Sequence, residues 1–361
     1  NGCSRDSDLR PGETHLQRKG PAVARSQGHH RYGRYWAPLI LVLALLGGMA
    51  GLAGCGAATG PFGFFVSCAG SSAGASAGPS SGAAAGGIRT VPAKVLHTAT
   101  STLVLVPVCL AGHGPYPFIL DTGAAQSVVD QNLATRLHLP STGATLPATG
   151  VNCTARAGQV QVTDWSVGDV ALRSQPLASL SMVGSSGGSG IAGLLGSDVW
   201  SRFGRFQLNY RSGQVTLPGP EQATAPTSAP TPSAPGAPMA VIHSRLGTLA
   251  VVPVTLDGHG PLTFILDTGS SQSVVDRAVA QRLGLPLAGR ARQVSGVSCA
   301  AAAQPVHVTS WQVGTVGLAA QNLDSVALPI PGLNGLMGSD VLYRFGTITI
   351  DYAASRLVIG G

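Results

Sequence analysis

The stretch FILDTGAAQSVVD at residues 118–130 returns as FILDTGSSQSVVD at residues 264–276, 146 residues further along the chain. The likeness continues downstream, where GLLGSDVW at 193–200 is matched by GLMGSDVL at 335–342. Similarity at a nearly constant spacing indicates an internal repeat. The chain is therefore two copies of one structural unit.

Each copy has the same local pattern around Asp-Thr-Gly. An apolar run (Phe-Ile-Leu) precedes the triplet and a second apolar pair (Val-Val) follows it. This pattern predicts a buried strand, a tight turn, a second strand and then a helix that begins after Asp130 or Asp276, with the aspartate as its N-cap. Gly123 and Gly269 are predicted to supply the backbone freedom that the turn needs.

The aspartates of the two triplets, Asp121 and Asp267, are the candidate functional residues. A carboxylate at the end of a buried strand is costly unless it is hydrogen-bonded or functional. Asp198 and Asp340 also recur, but each follows Gly-Ser ahead of an apolar run and is predicted to cap a helix. If a pseudo-twofold axis relates the copies, Asp121 and Asp267 can approach closely enough to share one proton.

Taken together, these motifs resemble the retropepsin-like aspartic peptidases, the clan that also contains the pepsins. The resemblance rests on DTGA and DTGS, on the apolar-apolar-Gly signatures at 194–196 and 336–338, and on the closing strands that begin RFQLNY and RFGTITIDY. It implies a mainly β fold with two retropepsin-like acid-protease lobes, a short helix or two in each, forming a pepsin-like pseudo-dimer. Retroviral members carry one motif per chain and must dimerise, whereas this chain carries both and is expected to be a monomer.

The resemblance also implies roles for individual residues. Asp121 and Asp267 would activate a water molecule by general acid–base catalysis, without a metal or a cofactor. Thr122 and Thr268 would brace the loops across the axis, and the Ser270 hydroxyl would bond Asp267 and leave it with more of the shared negative charge. The Gly-bearing hairpins after the helices would be flaps over the substrate, although they lack the Tyr of pepsin flaps. The flap candidates are Gly150, Val151, Gly296 and Val297.

Three functions are compatible with this sequence. The first is an endopeptidase that acts on peptide or protein substrates. The second is a non-catalytic surface peptide-binding module, although such a module has no need of two carboxylates. The third is a pair of independent lobes that each join another chain, which the long linker permits.

Composition divides the chain into six segments. These are a basic tail (1–36), a signal, lipobox or membrane-anchor segment (37–55), a Ser/Gly/Ala-rich tether (56–92), a first lobe (93–217), a Pro/Ala/Thr-rich linker (218–240) and a second lobe (241–361). The basic, apolar and small-residue order up to Cys55 is typical of a secretory signal, and Leu-Ala-Gly-Cys resembles a bacterial lipobox. An uncleaved anchor is the alternative. Both readings predict an extracytoplasmic, membrane-attached protein of the cell envelope.

The net charge of +7 does not indicate a nucleic-acid partner. Seven of the 22 Lys and Arg residues lie in the tail, where only three acidic residues accompany them. The basic excess is therefore not on the repeats.

Other recurring residues have structural interpretations. Trp165 and Trp311 are expected in the core. His113 and His259 are expected at exposed turns rather than at a metal. Cys153 and Cys299 correspond, and the sequence leaves open a disulfide between them, free thiols or separate pairings.

Overall fold

The computed structural model describes residues 40–41, 68, 87–99, 101–150, 153–182, 190–221, 235–244, 247–297 and 300–360. Both repeats belong to one compact unit, 36–361. The lipidation candidate Cys55, the flap candidate Val151 and Cys299 lie outside the described residues, as does most of the predicted tether and linker.

The described residues of the first repeat and its flanks form fourteen strands. They are β1 (Ile40–Leu41), β2 (Arg89–Pro92), β3 (Lys94–His97), β4 (Thr102–Leu110), β5 (His113–Asp121), β6 (Val128–Asp130), β7 (Ser141–Gly150), β8 (Cys153–Val162), β9 (Trp165–Val167), β10 (Val170–Ala171), β11 (Gln175–Leu180), β12 (Gly193–Gly196), β13 (Arg205–Asn209) and β14 (Gln214–Leu217).

The described residues of the second repeat and its flank continue the series with thirteen strands. They are β15 (Gly236–Pro238), β16 (Ala240–Ser244), β17 (Gly247–Leu256), β18 (His259–Leu266), β19 (Val274–Asp276), β20 (Arg292–Ser295), β21 (Ala300–Val308), β22 (Trp311–Val313), β23 (Val316–Leu318), β24 (Gln321–Val326), β25 (Gly335–Met337), β26 (Thr347–Asp351) and β27 (Arg356–Ile359). The α-helices found in the described ranges are α1 (Gln131–Arg136), α2 (Ser197–Trp200), α3 (Arg277–Arg282) and α4 (Ser339–Leu342).

Two sheets of the same topology form the two lobes. The first sheet has the order β1-β7-β8-β11-β6-β12-β5-β4-β9-β10, and the second has the order β20-β21-β24-β19-β25-β18-β17-β22-β23. From β8 and β21 onward the two orders correspond strand by strand. The predicted fold class, mainly β with two similar lobes and a short helix or two in each, is confirmed.

A third sheet joins the lobes, in the order β15-β27-β26-β13-β14-β2. At its centre β13 of the first lobe pairs antiparallel with β26 of the second, from Arg205 opposite Asp351 to Asn209 opposite Thr347. Strand β13 alternates buried and half-buried residues, and four of the five residues of β26 are buried, so the sheet also closes the core. The largest cluster of buried apolar side chains contains residues from both lobes, including Trp165 and Trp311, so their predicted place in the core is confirmed.

Helices α1 and α3 begin as the sequence predicts. Asp130 accepts hydrogen bonds from the backbone N–H groups of Asn132 and Leu133. Asp276 makes the same bonds at the start of α3. These are N-caps that satisfy amides with no partner inside the helix.

The segments outside the repeats contain more structure than the composition indicates. Strand β2 lies within the predicted tether and pairs with β14, and β15 lies within the predicted linker and pairs with β27. Backbone pairing with an existing sheet edge orders these residues despite their low apolar content. Cys68 of the tether forms a disulfide with Cys109 of β4.

Strand β1 falls within the predicted signal or anchor segment. It pairs in parallel with β7, with Ile40 opposite Ala148 and Leu41 opposite Thr149. In the described parts of the chain, no helix combines the length and apolar character required to cross a membrane.

Candidate active site

The two Asp-Thr-Gly turns have nearly the same geometry. Strand β5 ends at Asp121, and Asp267 directly follows β18. Oδ1 of Asp121 accepts hydrogen bonds from the amides of Gly123 (3.0 Å) and Ala124 (2.9 Å). Oδ1 of Asp267 accepts the equivalent bonds, from Gly269 at 3.0 Å and from the next residue at 2.8 Å. Each carboxyl is thus held by its own turn.

The carboxyl of each lobe packs against the glycine of the other lobe. A Cβ atom added at Gly123 would lie 2.3 Å from Cγ of Asp267, and one added at Gly269 would lie 2.2 Å from Cγ of Asp121. Neither glycine has a positive φ. The predicted reason for these glycines was therefore wrong, because the turn requires the absence of a side chain rather than special backbone freedom.

Both carboxyls are fully buried, and burial determines their electrostatics. Burial raises the pKa of Asp121 from 3.8 to about 7, against the lowering effect of the two backbone amides. The pKa of Asp267 is also well above its ordinary value, first because of burial and second because of the charge on Asp121. Apart from the interaction between the carboxyls, Oδ2 of each has no hydrogen-bond donor among the described residues. Two buried carboxyls so arranged retain one proton between them, because ionising both is unfavourable.

The threonines of the turns connect the lobes. The Thr122 amide donates to Oγ1 of Thr268 (3.0 Å), and the Thr268 amide donates to Oγ1 of Thr122 (3.1 Å). The hydroxyls in turn donate to the carbonyl oxygens of Leu266 (2.6 Å) and Leu120 (2.8 Å) in the opposite lobes. All four bonds are buried, so they hold the two turns in register.

Ser270 does not perform the role that the sequence predicted for it. Its hydroxyl donates to the carbonyl oxygen of Gln272 (2.6 Å), and only its backbone amide reaches Asp267. Ala124 provides the same amide bond in the first lobe. The prediction that the Ser270 hydroxyl gives Asp267 more of the negative charge was therefore wrong, because the hydroxyl bonds within its own turn.

Asp198 and Asp340 do not cap helices, contrary to the sequence interpretation. The N-cap positions of α2 and α4 are Gly196 and Gly338, without side-chain cap bonds. Asp198 instead accepts a hydrogen bond from Oγ of Ser127 (2.7 Å), and burial raises its pKa. The prediction failed because a tertiary partner, distant in sequence, competes with the local amides.

Ser127 and its counterpart Ser273 were missed by sequence reasoning. Oγ of Ser127 accepts from the Gly196 amide at 2.8 Å, and Oγ of Ser273 accepts from the Gly338 amide at 2.9 Å. Each serine therefore links the turn segment to the apolar-apolar-Gly segment. Their presence in both copies of Gln-Ser-Val-Val-Asp was the available signal.

Both predicted flaps are hairpins. In the first lobe β7 pairs with β8, with Gly150 opposite Cys153 at the end of the pair. In the second lobe β20 pairs with β21, and Gly296 and Val297 follow β20. Val297 is 2% exposed and lies in the apolar cluster of the first lobe, with Leu105 and Met182. The second hairpin therefore reaches across to the opposite lobe.

A cavity of about 540 Å³ lies where the start of the first lobe meets the second lobe. Ser101 lines it from the first lobe, and Gln272 and Arg292 line it from the second. Gln272 belongs to the segment that directly follows the second Asp-Thr-Gly turn. Oγ of Ser101 is buried and makes no hydrogen bond with the described residues.

His113 and His259 occupy turn positions, as the sequence predicts. His113 and His259 are exposed at the hairpins that begin β5 and β18. Within the described ranges, no three His, Cys, Asp or Glu side chains are grouped so that they could hold a metal ion.

The fold and the paired turns define a two-lobed protein of the acid-protease type. Residues 106–199 and 252–341 each match the family model described as aspartyl protease. Together these matches span just over half of the 361 residues, and the chain belongs to the aspartyl protease family.

Comparisons with individual proteins include solved structures of low sequence identity. The comparison with curated proteins found no match. The crystal structure of edgp is similar at 9% identity and a TM-score of 0.43, covering 78% of this chain and 96% of that one. Basic 7S globulin from soybean is similar at 12% identity and a TM-score of 0.38, covering 76% and 95%.

Proposed function

We propose that this protein is an aspartic endopeptidase. The observation that supports this best is the pair of buried carboxyls, each packed on the other lobe's glycine and each leaving Oδ2 without a protein donor. A structural role does not need two acids at this cost, whereas general acid–base catalysis needs one protonated and one ionised carboxyl.

The proposed reaction uses both members of the dyad. The ionised carboxyl accepts a proton from a water molecule as its oxygen forms a bond to the scissile carbonyl carbon. The protonated carboxyl donates its proton to the carbonyl oxygen, so that a neutral tetrahedral gem-diol forms. The first carboxyl then transfers its proton to the amide nitrogen as the C–N bond breaks, and one gem-diol hydroxyl returns its proton to the second carboxyl as the carbonyl re-forms, which restores the dyad. The products are a carboxylic acid and an amine.

Cleavage of an unbiased peptide library by the full chain tests the proposal. Asp121→Asn and Asp267→Asn should each abolish cleavage, since neither carboxyl suffices alone, and a pepstatin-type inhibitor should block the unmodified protein. Asp169→Asn is the matched control, because this surface carboxyl is 69% exposed. Near-normal cleavage by either dyad variant would exclude the shared site. Tight peptide binding without cleavage would identify a binding module instead.

We further propose that one chain builds the complete site. The reciprocal threonine bonds and the pairing of β13 with β26 occur within a single chain. Specific activity should therefore be independent of protein concentration, and sedimentation should give the monomer mass. Activity that falls on dilution would favour assembly between chains.

Attachment to the cell envelope through Cys55 is also a proposal, based on the lipobox-like sequence alone. Fractionation and intact-mass measurement of Cys55→Ala test it. The variant is expected to remain an unprocessed precursor, or to be released as soluble protein if another signal peptidase acts. Unchanged mass and unchanged fractionation would favour an uncleaved anchor.

A further inference from the structure

Each lobe inserts a buried tyrosine into the other lobe, next to an Asp-Thr-Gly turn. The Tyr352 hydroxyl lies 2.7 Å from Oγ of Ser197, and the Tyr210 hydroxyl lies 3.0 Å from Oγ of Ser339. The tyrosines are 7% and 2% exposed, and both serines are completely buried.

The antiparallel pairing of the central sheet explains why the tyrosines cross between lobes. Tyr210 directly follows β13, and its amide donates to the carbonyl of Gly346, just before β26. Tyr352 directly follows β26, and the next amide donates to the carbonyl of Gly204, just before β13. The C-terminal end of β13 therefore lies beside the helical segment that precedes β26. The C-terminal end of β26 lies beside the helical segment that precedes β13.

The direction of these hydrogen bonds follows from the number of protons. Oγ of Ser197 donates to the carbonyl oxygen of Thr122 (2.9 Å), and Oγ of Ser339 donates to that of Thr268 (2.9 Å). A serine hydroxyl has one proton, which these bonds use. The tyrosine must therefore be the donor in each Tyr–Ser pair.

The chain of hydrogen bonds continues to the carboxyl. The Thr122 carbonyl and the Gly123 amide belong to the same peptide group, and this amide donates to Oδ1 of Asp121. The path therefore runs from Tyr352 through Ser197 and one peptide group to Asp121. The equivalent path runs from Tyr210 through Ser339 and the Gly269 amide to Asp267.

We propose that Tyr352 and Tyr210 are positioning residues for the two carboxyls, each acting from the opposite lobe through one serine and one peptide group. As positioning for catalysis, this rests on the proposed peptidase function. Hydrogen bonds in a chain polarise one another, so each tyrosine makes the amide at the end of its path a stronger donor. A stronger donor favours the ionised carboxyl and keeps it oriented.

The groups that face the tyrosines keep them protonated. Tyr352 faces Asp198 and Asp121, and Tyr210 faces Asp340 and Asp267. Burial and these carboxyls raise the pKa of both phenols. Both hydroxyls therefore remain donors throughout the range in which the carboxyls titrate.

Titration of single carboxyls, without any turnover, tests the inference. In Asp267→Asn the remaining dyad carboxyl is Asp121, and its pKa can be followed by carboxyl ¹³C NMR of the full chain. Adding Tyr352→Phe should raise that pKa by about 0.3 unit, roughly 10–30% of one hydrogen bond to a charged group. Adding Tyr210→Phe should leave it unchanged. In Asp121→Asn the remaining dyad carboxyl is Asp267. Its pKa should rise when Tyr210→Phe is added and should stay unchanged when Tyr352→Phe is added.

Two further variants separate this path from general packing. Ser197→Ala should raise the same pKa, and Tyr352→Phe should add nothing in that background, because the path is already broken. Tyr116→Phe is the control, since the Tyr116 hydroxyl makes no hydrogen bond with the described residues. If a tyrosine variant does not fold, the carboxyl pKa measured in Ser197→Ala decides whether the path exists.

Equal shifts in both backgrounds, or no shift in either, would overturn the inference. The experiment also separates this inference from the proposed function. A protein that cleaves no peptide but shows the selective shifts would retain the path without the peptidase activity. A protein that cleaves peptides without these shifts would retain only the activity.

Discussion

Gly123→Ala is the sharpest test of how the carboxyls are brought together. The added Cβ would lie 2.3 Å from Cγ and 2.5 Å from both oxygens of Asp267. Carbon atoms in contact are normally about 3.5–4.0 Å apart, so the overlap exceeds about 1 Å. Either the carboxyl or the turn must move by that amount. Because both are buried, the substitution should lower the free energy of unfolding by about 1–3 kcal/mol, as overpacking does.

The effect on activity should be larger than the effect on stability. A displacement of about 1 Å in a reacting group costs about 100-fold in rate, so kcat/KM should fall by at least that factor. Gly269→Ala should behave alike, since its Cβ would lie 2.2 Å from Cγ of Asp121. Peptide cleavage and urea unfolding measured together give both quantities.

Gly317→Ala is the matched control for this prediction. A Cβ at Gly317 in β23 would meet nothing within 4 Å, and its φ is not positive. This variant should keep both activity and stability. Near-normal kcat/KM in Gly123→Ala would refute the close approach of glycine and carboxylate on which the site depends.

Three further predictions concern the dyad, the threonine bonds and the disulfide. Asp121 has a folded pKa of about 7 and an ordinary value of 3.8, so its contribution to stability is retained below pH 3.8 and lost as the pH rises through 7. Asp121→Asn should therefore be more stable than the unmodified protein at pH 8, by at most about 4 kcal/mol, and equally stable near pH 3. Calorimetry across that pH range measures the difference, and the absence of such a trend would contradict the raised pKa of Asp121. Thr122→Val removes a hydroxyl that accepts from the Thr268 amide, so urea unfolding should show a loss of about 1–3 kcal/mol, whereas Thr122→Ser should restore most of it. Cys109→Thr introduces the threonine that the second repeat has at the corresponding position, and it removes a disulfide that spans 41 residues. It should lower the free energy of unfolding by about 4 kcal/mol and remove the effect of added reductant, and a reductant effect that persists would mean that the disulfide is not the cause.

The repeat itself could be recognised from the sequence, and with it the fold. Apolar periodicity and the position of Asp130 and Asp276 are local properties, which is why the strands around each triplet and the starts of α1 and α3 were predicted correctly. Asp121 and Asp267 could also be chosen as candidates from the sequence, because a carboxylate next to a buried strand needs an explanation.

Contacts between distant residues decided the rest. A glycine is needed at Gly123 because the Asp267 carboxyl of the other lobe packs against it. The Ser270 hydroxyl donates to a backbone carbonyl oxygen of its own segment rather than to a carboxylate. Tyr210 and Tyr352 acquire a partner only because β13 and β26 run antiparallel. These contacts cannot be predicted from a local sequence pattern. Each forms between two segments that are distant in the sequence and that meet only when their apolar faces are buried together. The sequence alone determined that there are two lobes and two acids, and the tertiary structure determined which groups surround each acid.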